Sequence, residues 1–352
     1  MNVVFRVDSS NEMGLGHLMR CLTLAGELKR QRHRVTFVCR ELIGNLILLI
    51  NYPVFILPKD NNFQSDDCYL NWIGATQDQD AKQTINIIPK DTDALIVDNY
   101  ALDEVWHKQL RTHIKKIIVI DDLADKKFDC DIILNQNFGA QEECYKNKVS
   151  NDCSLLLGCE YALLRPEFAE LRVQAIEKRK NTKEVKNILV SMGGSDKNNI
   201  TYDVLQQLDD GFNVVVVLGG ASLHQDMVKN YAKNKNIKVI INANNIGRLM
   251  LEADLAIGTS GSTNWERLCL GLPSLIFIAA ENQIKFAKVL DNLGLIKLLG
   301  GVGESKVFNR IKESILAINN LSTWSERCFN SCSCNGSSRV VEVITSKIEL
   351  DK

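Results

Sequence analysis

Short apolar runs alternate with longer amphipathic ones from the first residues of the chain. Val3 to Val7 is apolar apart from Arg6, a run whose length suits a buried strand. Asp8, Ser9 and Ser10 close it, Gly14 and Gly16 follow, and His17 opens an amphipathic stretch. There Leu18, Cys21, Leu22, Leu24, Ala25 and Leu28 recur at helical spacing. The pattern predicts strand, glycine turn, helix. It goes on to predict strands over 34–40, 54–58, 94–100, 115–122 and 131–137, with helices over 41–52, near 80–89 and over 103–113. Residues 60–79 read as a polar loop, and 154–168 close this half.

Residues 169–186 are rich in charge and read as a linker helix and hinge. The alternation then restarts, with a strand running into a glycine turn over 187–196, strands over 213–220, 237–244, 254–260 and 273–279, helices between them, and a largely helical tail from 304. The expected organisation is an N-terminal Rossmann-like domain over 1–170, a linker over 171–186 and a C-terminal one over 187–352. The expected fold class is therefore α/β, two Rossmann-like domains facing each other across a cleft.

Composition changes this picture little. Hydrophobic residues make up 45 % and charged residues 24 % of 352 positions, and the formal net charge is -1. No global field argues for nucleic acid or an anionic membrane. The apolar run at 42–50 is too short to span a bilayer. There are 11 cysteines; Cys21, Cys39 and Cys269 lie in apolar runs and read as small core residues. An odd count with no visible secretory signal leads us to expect reduced thiols and a cytoplasmic location; a monomer is expected as well. Cys328, Cys332 and Cys334 have no nearby histidine and no zinc-type spacing, so neither metal nor cofactor is expected.

Candidate chemistry lies at strand ends, where open parallel sheets bind their ligands. The Gly14–Gly16 turn brings His17 into the first turn of a helix, a position that favours the neutral, base-competent ring. Asp98 and Tyr100 end another strand, as do Asn99, Asp121, Asp122, Asn135 and Asn137. In the second half Thr259, Ser260, Gly261, Ser262 and Thr263 separate a strand from a helix, and their N–H groups and hydroxyls suit a diphosphate. Glu266, one turn into that helix, is placed to accept from ribose hydroxyls. Gly193 and Gly194, and Asn282 with Gln283, fall at neighbouring strand ends.

Taken in order, FRVDSS, GLGHLMRCLTLA, VDNY, IDDLAD, LLGCEYALLRPEF, SMGGSD, ADLAIGTSGSTNWERLCLGLP and AENQ resemble the PseG-type family of nucleotide-sugar hydrolases and their SpsG relatives. The second half also resembles the transferase that adds N-acetylglucosamine to lipid I. The resemblance implies a GT-B-like fold and metal-independent hydrolysis of UDP-2,4-diacetamido-2,4,6-trideoxy-β-L-altropyranose to UDP and free sugar, within pseudaminic acid biosynthesis. It implies that His17 is the essential histidine and that Tyr100 and Asn282 position sugar or water. Asn199 and Glu266 would hold the nucleotide. Gly14, Gly16, Asp98, Gly193, Gly194, Ser260, Gly261, Ser262, Thr263 and Gln283 complete the expected substrate contacts. A GT-B glycosyltransferase using a UDP-sugar donor is the alternative. The tail is longer than in minimal family members.

Overall fold

The computed structural model describes residues 1–60, 62–194, 196–220 and 222–349, without the side chain of Asn282. The chain forms two compact units, one of residues 1–163 joined by the segment from 335 onward, the other of residues 164–334. The sheet of the first unit holds β1 (Asn2–Val7), β2 (Arg34–Arg40), β3 (Val54–Leu57), β4 (Ala94–Asp98), β5 (Lys116–Ile120), β6 (Ile132–Asn135) and β7 (Ser154–Leu157). Their spatial order is β3-β2-β1-β4-β5-β6-β7, and all neighbours are parallel. The helices are α1 (Gly16–Arg30), α2 (Cys68–Ile73), α3 (Gln77–Ile87) and α4 (Glu104–Arg111).

The second unit opens with α5 (Pro166–Asn181) and continues through β8 (Asn187–Ser191), α6 (Ile200–Leu205), β9 (Asn213–Leu218), α7 (Gln225–Ala232) and β10 (Ile237–Ile241). There follow α8 (Ile246–Glu252), β11 (Leu255–Thr259), α9 (Thr263–Cys269), β12 (Ser274–Ile278), α10 (Ile284–Asn292) and β13 (Lys297–Gly301). Helices α11 (Arg310–Leu316) and α12 (Leu321–Ser331) end it. Its sheet order, β10-β9-β8-β11-β12-β13, is again parallel and reverses direction between β8 and β11, as the first sheet does between β1 and β4. Each unit thus has the doubly wound order whose switch point forms a crevice outside the strand ends. The last helix, α13 (Gly336–Glu349), returns to the first unit.

Alternation along β1 explains how the first sheet is covered. Val3, Phe5 and Val7 face one core with Leu18, Leu24 and Leu28 of α1 and Val340, Val341 and Ile344 of α13. Val4 faces the other, with Ala81 of α3 and Trp106 and Leu110 of α4. Arg6 falls on that second face and is fully buried. Its guanidinium forms a fork on Asp80 of α3, at 3.1 and 2.6 Å, and meets Asp8 at 2.7 Å. Arg40 of β2 reaches the same Asp80 at 2.6 Å, and Trp106 Nε1 donates to it at 3.0 Å. Burial alone would raise the Asp80 carboxyl, but Arg6 and Arg40 outweigh it and hold it at about 2.

Five expectations change. Residues 41–52 form no α-helix, only a 3-10 turn at Ile47–Leu49. Their backbone is drawn to the β1–α1 loop instead: Asn11 N–H donates to Ile43 O, and Leu46 N–H to Ser9 Oγ. Inside the expected 60–79 loop stands α2, capped by the Asp67 side chain on Tyr69 and Leu70 N–H and ended by Gly74 at φ 61°. The expected linker is α5, docked on the second unit. Arg179 donates to Met250, Ala253 and Leu270 carbonyls, and Arg172 to those of Cys269, Phe329 and Cys332. These are carbonyls at or near helix ends, which arginine satisfies well. The tail divides, because the apolar face of α13 finds its partner on α1. Lastly, Cys269 is not a core thiol but is bonded to Cys334, while the nine other cysteines form no disulfide.

Two predictions follow from the buried polar groups. Replacing Asp80 with Ala leaves two buried guanidinium groups without their shared anion, and urea unfolding should show a loss of about 3–5 kcal/mol. His107 of α4 is fully buried with neither ring nitrogen hydrogen-bonded. Burial, helped by Arg111, lowers its pKa from 6.5 to about 3. Above pH 6.5 the ring is neutral in both folded and unfolded chains; below it the unfolded chain takes a proton that the folded one refuses. Stability therefore falls as pH drops from 6.5 towards about 3. His107→Leu should flatten that part of the stability–pH curve.

Candidate functional site

The β1–α1 turn follows from local chemistry. Ser10 Oγ accepts from Glu12 and Met13 N–H, and Gly14 N–H donates to Ser10 O at 2.9 Å. Gly14 takes φ 75°, a left-handed conformation that glycine adopts freely. Gly16 has open space where a Cβ would stand. The chain enters α1 at Gly16, and His17 is buried at its first turn with 7 % exposure.

His17 Nδ1 lies 2.6 Å from Asp98 Oδ1 at the end of β4. Arg20, three residues on and on the same helical face, forks onto Asp98 with Nε and Nη2, both at 2.6 Å. Its Nη1 reaches both Asp122 oxygens, at 2.9 and 2.7 Å. Tyr100 donates its hydroxyl to Asp122 at 2.7 Å and sets its ring edge-on to His17, centroids 4.6 Å apart. Burial alone would raise the Asp98 carboxyl; Arg20 and then His17 outweigh it and hold it well below the usual range. Burial and Asp122 push the Tyr100 phenol well above 10. An ionised Asp98 only accepts, so the Nδ1 it contacts carries a proton, and in the neutral tautomer Nε2 is then the acceptor. No hydrogen bond in the described residues takes up Nε2.

In the second unit Gly193 takes φ 90°, and Gly194 O packs so closely on Gly219 that a Cβ there would lie 1.9 Å away. Asp196 caps α6 by accepting from Ile200 and Thr201 N–H. The β11–α9 turn exposes Gly261 and Ser262, with Thr263 half-buried. Glu266 is half-buried, its Oε1 3.4 Å from Arg165. Burial raises its carboxyl, opposed in part by Arg165.

Several of the expected ligand contacts have partners within the protein. Asp98 is fully buried, with His17 and Arg20 on its oxygens. Ser260 is fully buried with its Oγ accepting from Asn264, which braces the turn. Asn199 takes φ 52° and sends its amide nitrogen to Met227 Sδ at 3.0 Å. Gln283 Oε1 accepts from Ala279 N–H, holding its own turn. The backbone of Asn282 lies in the 3-10 turn Glu281–Gln283, and its side chain is outside the described set. The sequence did not single out Arg20, Asp122 as its partner, Arg165 or Arg267, which the structure joins to these groups. Only Arg20 carries a local signal, its spacing of three from His17 on one helix.

The two parallel sheets with their helices give the chain an α/β fold of GT-B type, built from two Rossmann-like units. Residues 171–323 match the Glycosyltransferase family 28 C-terminal domain. The chain is similar in sequence to PseG- and SpsG-type proteins. It is 29 % identical over 84 % of its length, and 97 % of the relative's, to a UDP-2,4-diacetamido-2,4,6-trideoxy-β-L-altropyranose hydrolase of Campylobacter jejuni. It is 28 % identical to the spore coat polysaccharide biosynthesis protein SpsG of Bacillus subtilis, over 85 % of this chain and 84 % of that one. An uncharacterized protein of Methanocaldococcus jannaschii is 32 % identical over 80 % of this chain, which spans 57 % of that relative. Among solved structures, MurG of Acinetobacter baumannii superposes with a TM-score of 0.66 at 14 % identity, covering 98 % of this chain and 99 % of its own.

The dyad makes a direct prediction. Nitrogen NMR of the His17 ring should find the neutral tautomer protonated on Nδ1. Asp98→Asn should abolish that preference and lower stability by about 1.5–3 kcal/mol, the range for hydrogen bonds to charged groups.

Proposed function

We propose that this protein hydrolyses a UDP-sugar to UDP and the free sugar, acting in pseudaminic acid or related nonulosonate biosynthesis. The proposed substrate is UDP-2,4-diacetamido-2,4,6-trideoxy-β-L-altropyranose, the compound named for the Campylobacter jejuni relative. The observation that carries the reading is the Asp98–His17 pair at the β1/β4 switch point, with Nδ1 engaged and Nε2 free to accept.

In this reading a water gives its proton to His17 Nε2 as its oxygen bonds to the anomeric carbon. The bond from that carbon to the diphosphate oxygen breaks, and UDP leaves with the electron pair. Asp98 stabilises the imidazolium that forms, as a carboxylate behind a histidine does elsewhere. UDP is a good leaving group, so no second carboxylic acid of glycosidase type is called for. Arg20 occupies both Asp98 and Asp122, so neither is available as that acid. Glu266 would take the ribose hydroxyls, and the turn around Gly261 and Ser262 the diphosphate. Tyr100 would set the face of the His17 ring. Single-face attack by water predicts inversion at the anomeric carbon.

A glycosyltransferase using a UDP-sugar donor is the second reading, favoured by the family 28 match over residues 171–323. Incubation with a panel of UDP-sugars in oxygen-18 water without acceptor separates the two. Hydrolysis with label in the sugar and an inverted first-formed anomer is expected. Label in UDP, or retained configuration, overturns the mechanism, and turnover only with an added acceptor favours the transferase. His17→Ala should lower kcat by about two to four decades.

A further inference from the structure

The molecule buries several arginines, and among the described residues two of them, Arg179 and Arg267, form no ion pair with an acid. Arg6, Arg20 and Arg40 each meet a carboxylate within 2.7 Å, and Arg179 is saturated by three carbonyls. Arg267 of α9 is 3 % exposed. Its Nη2 donates to Thr259 O at 2.9 Å and to Asn264 Oδ1 at 2.5 Å. Its Nη1 lies so near Gly258 that a Cβ there would stand 2.5 Å away. Its Nε has no partner. Among the described residues no carboxylate forms an ion pair with it. The one acid that acts on it, the adjacent Glu266, is shared with Arg165. Burial lowers the guanidinium to about 10.

A buried charge without a counter-charge costs several kcal/mol (roughly, after relaxation). Arg267, itself buried, ties together both ends of the β11–α9 turn, at Thr259 O and Asn264 Oδ1, while Gly261 and Ser262 between them are exposed. We propose that Arg267 is the internal counter-charge for an anion seated on this turn, namely the diphosphate of a nucleoside diphosphate. The identity of the ligand rests on the function proposed above; the need for an anion rests on the unpaired guanidinium. Arg267 acts through the turn, so it is a positioning residue. With α9 only seven residues long, this charge supplies what a longer helix would add through its dipole.

Calorimetry of the full chain with UDP, inorganic pyrophosphate and uridine tests this. Arg267→Met should weaken UDP and pyrophosphate by about tenfold or more while uridine changes less than about twofold, with Arg267→Lys restoring part of the loss. Asn264→Asp keeps the packing and hands the same guanidinium a carboxylate, so it should show the same split even where Arg267→Met does not fold. Equal losses for UDP and uridine would mark a purely structural brace and overturn the proposal. So would unchanged UDP binding in both variants, or wild-type protein that binds neither UDP nor pyrophosphate. Protein that shows the split yet hydrolyses no UDP-sugar would overturn the hydrolase reading and leave this role of Arg267 standing.

Discussion

One guanidinium between two carboxylates organises the first strand-end site. Arg20 rises from α1, and its two acceptors, Asp98 and Asp122, follow β4 and β5. Asp98 is fully buried and would resist ionisation without it. Ionised, Asp98 fixes the ring of His17, and Asp122 fixes the hydroxyl of Tyr100. The edge contact between Tyr100 and His17 closes the circuit. No member keeps its geometry alone, since each buried donor or acceptor is satisfied by another member. An imidazole held this way is oriented before any ligand arrives.

The two units use one topology for opposite electrostatics. At the β1/β4 switch point acids outnumber the cation that joins them, and the free atom is a lone pair on imidazole. At the β8/β11 switch point the buried side chain beneath the turn is a cation, and close glycine contacts let neighbouring loops approach. The first arrangement suits proton transfer, and the second suits holding an anion.

Arginine also sets the boundaries of the units. A charged stretch such as 171–186 reads as a solvated hinge when only its composition is weighed. Here Arg172 and Arg179 turn inward and satisfy carbonyls around the ends of α8, α9 and α12, which makes α5 a supporting helix. In the first unit Arg6 and Arg40 converge on Asp80 and anchor α3 to the sheet.

Two βα repeats, their strands and most of their helices were legible in the sequence, because burial on a regular element leaves a period that any window of residues displays. His17, Tyr100 and the turn at 259–263 were legible too, since glycines and polar residues at strand ends mark switch-point loops. Asp67 and Gly74 were legible signals of α2 within a stretch read as loop. The fate of 41–52 was not, because its helical pattern lost to backbone bonds offered by a loop some 30 residues earlier in sequence. Nor was the pairing of α13 with α1, of Cys269 with Cys334, or of Asp98 with Arg20. The sequence by itself determined which residues form each element and which polar groups stand at its end. Tertiary structure alone decided which charges meet, because a carboxylate binds, orients or stays inert according to partners that lie far apart in sequence.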